Sequence, residues 1–160
     1  MMKEEEHMSF MRRAIALAIE GVESGAGGPF GAVVVKNGEI VGEGYNHVTS
    51  SCDPTAHAEI VAMREACQKM NTFQLEGCIL YTSCEPCPMC FGAIYWARPD
   101  KVYYAATKED AAEALFDDAF IYKELSLPSS NRRIPFLPLL NQEGKAPFES
   151  WMDKEDREAY

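Results

Sequence analysis

The sequence predicts a layered α/β domain, a mixed central sheet covered by helices on both faces. Three observations predict it. A helical-period apolar stripe runs through the first 23 residues. An Asn37-Gly38 pair then separates two β-rich runs, the strongest short signal for a hairpin. Beyond the hairpin, helical and strand patterns alternate, so the order reads α-β-β-α-β-α-β-α(-β)-α.

Residues 5–23 form the first helix. Phe10, Ala14, Leu17, Ala18 and Val22 share one face, Ser9 offers an N-cap if the first turn frays, and Gly25-Ala26-Gly27-Gly28-Pro29 ends the helix. Strands follow at 30–36 and 39–45. The type I′ turn between them needs positive φ at both Asn37 and Gly38. Residues 46–51 read as polar loop. Asp53-Pro54-Thr55 starts a helix that runs to about Met70, with Asp53 as cap and Pro54 at the first position. Residues 78–82 are a buried strand and Cys84-Glu85-Pro86 a turn. A helix at 89–97 ends at Arg98-Pro99, and 101–105 is a strand. Short helices follow at 109–115 and 118–124. Residues 127–138 are extended connection, with Pro135-Phe136-Leu137 feeding a last strand. Residues 148–160 form an amphipathic acidic helix.

The length suits one domain with a core of its own. Apolar residues at 47% and charged residues at 25% exclude disorder as the main state. Asp plus Glu number 25 against 15 Lys plus Arg, for a net charge of -10, which repels phosphate backbones and argues against a nucleic-acid partner. No apolar run reaches the roughly 20 residues that span a bilayer. The acidic start, Met1-Met2-Lys3-Glu4-Glu5-Glu6, lacks the apolar core of a secretion signal, so the expectation is a cytoplasmic protein with reduced thiols.

Three of the six cysteines fall within seven residues, at Cys84, Cys87 and Cys90. Thr55-Ala56-His57-Ala58-Glu59 lies upstream of Pro86-Cys87-Pro88-Met89-Cys90, which together spell H-x-E followed by P-C-x-x-C, the signature of zinc nucleobase deaminases. One imidazole and two thiolates give Zn²⁺ three protein ligands, His57, Cys87 and Cys90, and leave a fourth position for water. Helix starts at these positions favour the thiolates. Glu59, two residues beyond His57, is placed to move the water's proton. Two plainer readings stand beside this one. The Cys-x-x-Cys could be a redox pair, or Cys84 could complete a four-ligand structural site, although its place outside P-C-x-x-C suits a small pocket-wall residue better.

From Gly27 to Tyr122 the chain resembles the cytidine/deoxycytidylate deaminase superfamily. Gly28-Pro29-Phe30-Gly31-Ala32, Asn46, residues 53–59 and residues 81–98 carry the likeness. Within it, Glu113-Ala114, Phe116-Asp117-Asp118, residues 120–124, Trp151 and the terminal Tyr160 look like the bacterial guanine deaminases. The resemblance implies a three-layer α/β/α cytidine-deaminase-like fold with one zinc per subunit. It implies a single domain over 1–160 in a homodimer, with residues from about 140 to 160 exchanged between subunits. It assigns Asn46 to the purine edge, Asp118 to the purine N–H groups, Phe30 and Trp96 to stacking walls, and Tyr160 to a cover supplied by the partner. Each also has an ordinary role: Asn46 as a turn residue, Asp118 as a helix N-cap, Phe30 and Trp96 as core.

The implied reaction is hydrolytic deamination of guanine to xanthine and ammonia, a step of purine salvage or catabolism. An ionised carboxylate accepts from guanine N1–H and would repel the bare N1 of adenine. The rivals are a tRNA adenosine deaminase, a deaminase of another free base such as cytosine or a triazine, and a zinc-bearing interaction module without chemistry. RNA binding needs a basic footprint that this chain lacks, and a module has no use for Glu59.

Overall fold

The computed structural model describes residues 2–160. The chain divides into a first compact unit that ends at Asp118 and a second, Ala119–Tyr160.

The first unit is built on a four-stranded sheet. Its elements in order are α1 (Glu4–Glu23), β1 (Gly31–Lys36), β2 (Glu39–Tyr45), α2 (Val48–Ser51), α3 (Ala58–Met70), β3 (Cys78–Cys84), α4 (Pro88–Ala97), β4 (Lys101–Ala106) and α5 (Lys108–Glu113). The strand order is β2-β1-β3-β4. β1 runs antiparallel to both β2 and β3, and β4 runs parallel to β3, so the sheet is mixed as expected.

The sheet is covered on both faces because β1 is apolar on both. Val33 and Val35 join Ala14 and Leu17 of α1 and Tyr81 of β3 in one cluster. Ala32 and Val34 face the other way and join Ala58, Ala62, Met63 and Ala66 of α3, Leu80 of β3 and Ile94 of α4. A strand buried on both sides reads as a near-continuous apolar run, which is how Gly31-Ala32-Val33-Val34-Val35 reads. Two glycines set the spacing of the layers. A Cβ on Gly31 would collide with the Ala14 carbonyl oxygen and lie 2.5 Å from the Ala18 nitrogen; one on Gly42 would collide with the Ala62 carbonyl and lie 2.6 Å from the Ala66 nitrogen.

The hairpin at Asn37-Gly38 forms with φ of 52° and 81°, the two positive values a type I′ turn requires. Several boundaries differ from expectation. α1 starts at Glu4 rather than fraying to Ser9, because Glu6 reaches back to accept from the Lys3 backbone N–H at 2.7 Å. Val22 is 51% exposed and lies off the buried stripe, whose fourth member is Gly21. The stretch at 46–51 contains the short helix α2. α3 begins at Ala58 with His57 as its N-cap residue. Asp53 spends its carboxylate on a local turn, accepting from Thr55 N–H at 2.8 Å and Thr55 Oγ1 at 2.7 Å, so it cannot cap a helix. β3 runs through Cys84, two residues past the expected end.

The second unit holds α6 (Ala119–Ser126), two short 3₁₀ turns and α7 (Ala146–Asp153). The extra strand expected at 135–137 does not form; among the described residues the sheet has four strands. α7 ends at Asp153, short of the expected Tyr160, and its C-cap Lys154 has extended backbone. No residue from 119 to 160 is buried. No helix is long and apolar enough to cross a membrane among the described residues.

Candidate metal centre and base pocket

Two helix N-termini supply the donors. His57 is the N-cap residue of α3 and Cys87 that of α4; Pro88 occupies the first turn of α4, where its missing N–H costs nothing, and Cys90 follows one turn in. His57 Nδ1 lies 3.5 Å from Cys87 Sγ and 3.5 Å from Cys90 Sγ. Zn–N near 2.05 Å and Zn–S near 2.3 Å at a tetrahedral angle would put nitrogen and sulfur about 3.6 Å apart. The nitrogen–sulfur separations therefore suit zinc, and all three donor atoms lie within 4.8 Å of one another. The donor set has three members, not four: Cys84 lies outside the cluster, with its thiol donating to the Thr107 carbonyl at 3.4 Å. None of the six cysteines forms a disulfide.

The protonation pattern fits a cation site. A hydrogen bond from Cys90 and then the His57 imidazole hold the Cys87 thiol down at about 4. Cys90 is pushed up, first by its hydrogen bond to Cys87 and then by burial. One site cannot hold two thiolates without a cation, and a divalent metal removes that conflict. The His57 pKa is raised, chiefly by its bond to Cys87.

Glu59, in the first turn of α3, is 6% exposed and its Oε2 lies 3.5 Å from Cys90 Sγ. Burial raises its pKa above the ordinary value of 4.5. A buried carboxyl beside the donor set is placed to take a proton and return it.

Asn46 follows β2 directly and is 5% exposed. Its N–H donates to the Phe30 carbonyl at 3.0 Å, and the next residue, His47, donates to the carbonyl of Ala56, the neighbour of His57. Its side-chain oxygen accepts from Gly28 N–H at 3.2 Å and Val48 N–H at 3.1 Å. Both lone pairs of that oxygen are thus used, and the amide nitrogen is left as the donating end. Flipping the amide would leave two backbone donors facing a donor, at about 1–3 kcal/mol each. The sequence offers the asparagine but not its polarity.

Asp118 is half-buried at the end of the first unit. Burial raises its pKa, and the negative charge of Cys87 raises it further, so it lies within electrostatic reach of the donor set. Phe30 packs against the α3–α4 core and meets Phe116 edge-on at 5.1 Å and 89°. Both rings help line an apolar cavity of about 600 Å³ with Ile15, Ile19, Ala111 and Cys84. The cavity is lined by none of the metal donors. In the sequence Phe116 stands out only as part of the Phe116-Asp117-Asp118 segment that resembles guanine deaminases; its ring contact with Phe30 is what brings it to this cavity. Trp96 is 63% exposed on α4, so the core-packing reading does not hold for it. Tyr160 belongs to the second unit and is 69% exposed.

Residues 4–106 match the family model for the cytidine and deoxycytidylate deaminase zinc-binding region. The chain belongs to that family. Guanine deaminase from Bacillus subtilis (strain 168) is 57% identical over 154 residues, covering 96% of this chain and 99% of the relative. A solved structure of guanine deaminase from Bacillus subtilis superposes with a TM-score of 0.94 at 56% identity, covering 99% of each chain. A tRNA-specific adenosine deaminase from Aquifex aeolicus is 38% identical over 125 residues, 78% of this chain and 80% of its own. A solved relative in complex with 2,6-diaminopurine has a TM-score of 0.65 at 34% identity, covering 68% of this chain and 61% of that one. The fold is therefore the three-layer deaminase fold, and the family's metal is zinc, which the His57, Cys87 and Cys90 donors suit.

Proposed function

We propose that this chain catalyses the hydrolytic deamination of guanine to xanthine and ammonia. One observation carries the chemistry: a buried carboxylate, Glu59, lies 3.5 Å from one member of a three-donor set spaced for zinc. The substrate is supported by the full-length likeness to a guanine deaminase. When bound, zinc supplies the Lewis acidity that makes water a nucleophile near neutral pH. His57, Cys87 and Cys90 hold the ion. Glu59 takes a proton from the attacking water, delivers it to the ring nitrogen beside C2, and assists protonation of the departing amine. Water adds its oxygen at C2, the C2–N bond breaks, and ammonia leaves.

Asn46 and Asp118 read the base. The Asn46 amide nitrogen donates to an acceptor on the purine edge. Guanine carries acceptors at O6 and N7, whereas adenine puts a donor at its exocyclic N6. Asp118 accepts from guanine N–H groups, and adenine has no N1–H to offer. Phe30 supplies one flat wall, and Trp96 offers a second exposed aromatic face.

The second unit supports a homodimer with exchanged C-terminal segments. Residues 119–160 bury nothing yet carry exposed Phe136, Leu137, Leu139, Phe148 and Met152. A segment of this size with no core of its own needs a cover, and a second copy of the chain is the proposed one. In that dimer the partner subunit's Tyr160 closes over the purine. We place the protein in the reducing cytoplasm, where the Cys87 and Cys90 thiols stay available to the metal. A net charge of -10 favours a free base over tRNA.

The test is steady-state turnover of the zinc-loaded protein on guanine, adenine, cytosine and cytidine. The expected result is preference for guanine with xanthine as product. Equal turnover of adenine or cytosine overturns the assignment, and salt-dependent tRNA binding would favour the RNA-modifying reading.

A further inference from the structure

We infer that Gly27 and Gly28 are positioning residues for purine selectivity, holding the Asn46 amide so that only its nitrogen faces the base. The inference rests on the reading of Asn46 as the residue that meets the purine edge.

The two glycines act in different ways. Gly28 supplies one of the two backbone N–H groups that occupy the Asn46 oxygen. Its own Cβ position is crowded as well: a Cβ there would lie 3.1 Å from ring atoms of both Phe30 and Phe116, so a side chain would press on the segment that carries this N–H. Gly27 acts by absence. A Cβ on it would collide with the Asn46 side-chain oxygen, and would lie 2.5 Å from the Asn46 backbone oxygen and 2.9 Å from its carbonyl carbon. Because backbone atoms are involved, rotation of the side chain alone cannot relieve the contact. Gly27 has no positive φ, so the space beside Asn46 explains the glycine where backbone freedom does not.

The consequence is a fixed polarity. An asparagine free to flip can donate or accept and so tolerates either a 6-oxo or a 6-amino purine. An asparagine whose oxygen is clamped by Gly28 and Val48 is a donor only. A 6-oxo group then gains a hydrogen bond, and a 6-amino group meets a like donor.

The experiment compares zinc-loaded wild type, Gly27→Ala, Asn46→Ala and the double variant. The readouts are guanine KM and kcat, zinc content, and the ratio of inhibition constants for hypoxanthine and adenine. Gly27→Ala should raise KM about tenfold or more, with a smaller change in kcat, and shrink the hypoxanthine-over-adenine preference by a similar factor. Adding Gly27→Ala to Asn46→Ala should leave the hypoxanthine-over-adenine ratio within about threefold of the Asn46→Ala value, because the side chain that reads the 6-position is gone, whatever the surviving backbone contact does to KM. An unchanged KM and ratio in Gly27→Ala, or a double variant whose ratio shifts by the full effect of each single change, overturns the inference. An unchanged KM in Asn46→Ala overturns the underlying reading of Asn46 instead, and the inference with it. If Gly27→Ala does not fold, Asn46→Asp keeps the test open. Its carboxylate still accepts from Gly28 and Val48 but cannot donate, so the protein should keep its zinc and lose the 6-oxo preference. Retained preference in Asn46→Asp refutes the donor-only polarity.

Discussion

Glu59→Gln separates what the buried carboxylate does for the reaction from what it does for the fold. The amide is nearly isosteric, so the contact with Cys90, now 3.5 Å from Oε2, and the packing at the start of α3 survive. What disappears is the ability to accept a proton from water and pass it on. General acid–base catalysis contributes about 10²–10⁴-fold per group. Glu59 is assigned transfers both to the ring nitrogen and to the departing amine, so the expected loss in kcat is at least about 10³-fold, or roughly 4 kcal/mol of barrier. Stability should respond differently in the metal-free protein. There burial raises the Glu59 pKa, so its contribution is present below the ordinary 4.5 and is lost as pH rises through the folded value. An amide does not titrate, so the metal-free variant's Tm should fall less than the wild-type value as pH rises from 4.5. The assay is single-turnover and steady-state xanthine formation at saturating guanine, with zinc content by atomic absorption and Tm by calorimetry. Turnover within about tenfold of wild type, with zinc retained, would refute the assigned role.

Three further perturbations test the frame around the site. Gly31→Ala should lower stability by about 1–3 kcal/mol, because the new methyl meets backbone atoms of α1 that cannot rotate away; thermal denaturation checks it, and an unchanged Tm contradicts the layer spacing. Glu43→Gln removes a bidentate pair in which Arg13 Nε and an Arg13 terminal nitrogen donate at 3.0 and 2.6 Å. The pair is about one-third exposed, so the expected loss is about 0.5–1 kcal/mol at pH 7. Arg13 holds the Glu43 pKa below its ordinary 4.5, so this contribution is present above pH 4.5 and fades as pH falls through the depressed value; urea titrations that give the same difference at pH 3 as at pH 7 would contradict it. Mixing Glu59→Gln chains with chains that lack residues 140–160 should restore activity that neither has alone, if each site borrows its partner's segment. Activity that stays at the sum of the two separate proteins argues against exchange.

The metal donors were legible because their chemistry demands short spacings. His57-Ala58-Glu59 and Cys87-Pro88-Met89-Cys90 each fit within one helical turn, and Pro88 marks the helix start between the two thiols. The hairpin was legible for a similar reason, since Asn37-Gly38 satisfies a local backbone demand. The missed features depend on which partner a side chain takes up, near or far along the chain. Asp53 looks like a cap until Thr55 takes both of its hydrogen bonds. The polarity of Asn46 is set by an N–H 18 residues away. Phe116 becomes part of the site region only by meeting Phe30. In the C-terminal unit, Pro135-Phe136-Leu137 suggest a strand, but no neighbouring strand among the described residues takes up their backbone groups.

The most direct test of the central claim is a crystal structure of the zinc-loaded protein with a guanine analogue that is not turned over. The account predicts a metal held by His57, Cys87 and Cys90. It places C2 of the base toward the metal with Glu59 alongside, the Asn46 amide nitrogen on a ring-edge acceptor, and Asp118 on a ring N–H. A base bound away from these residues, or Asn46 with its oxygen turned to the ligand, would contradict it.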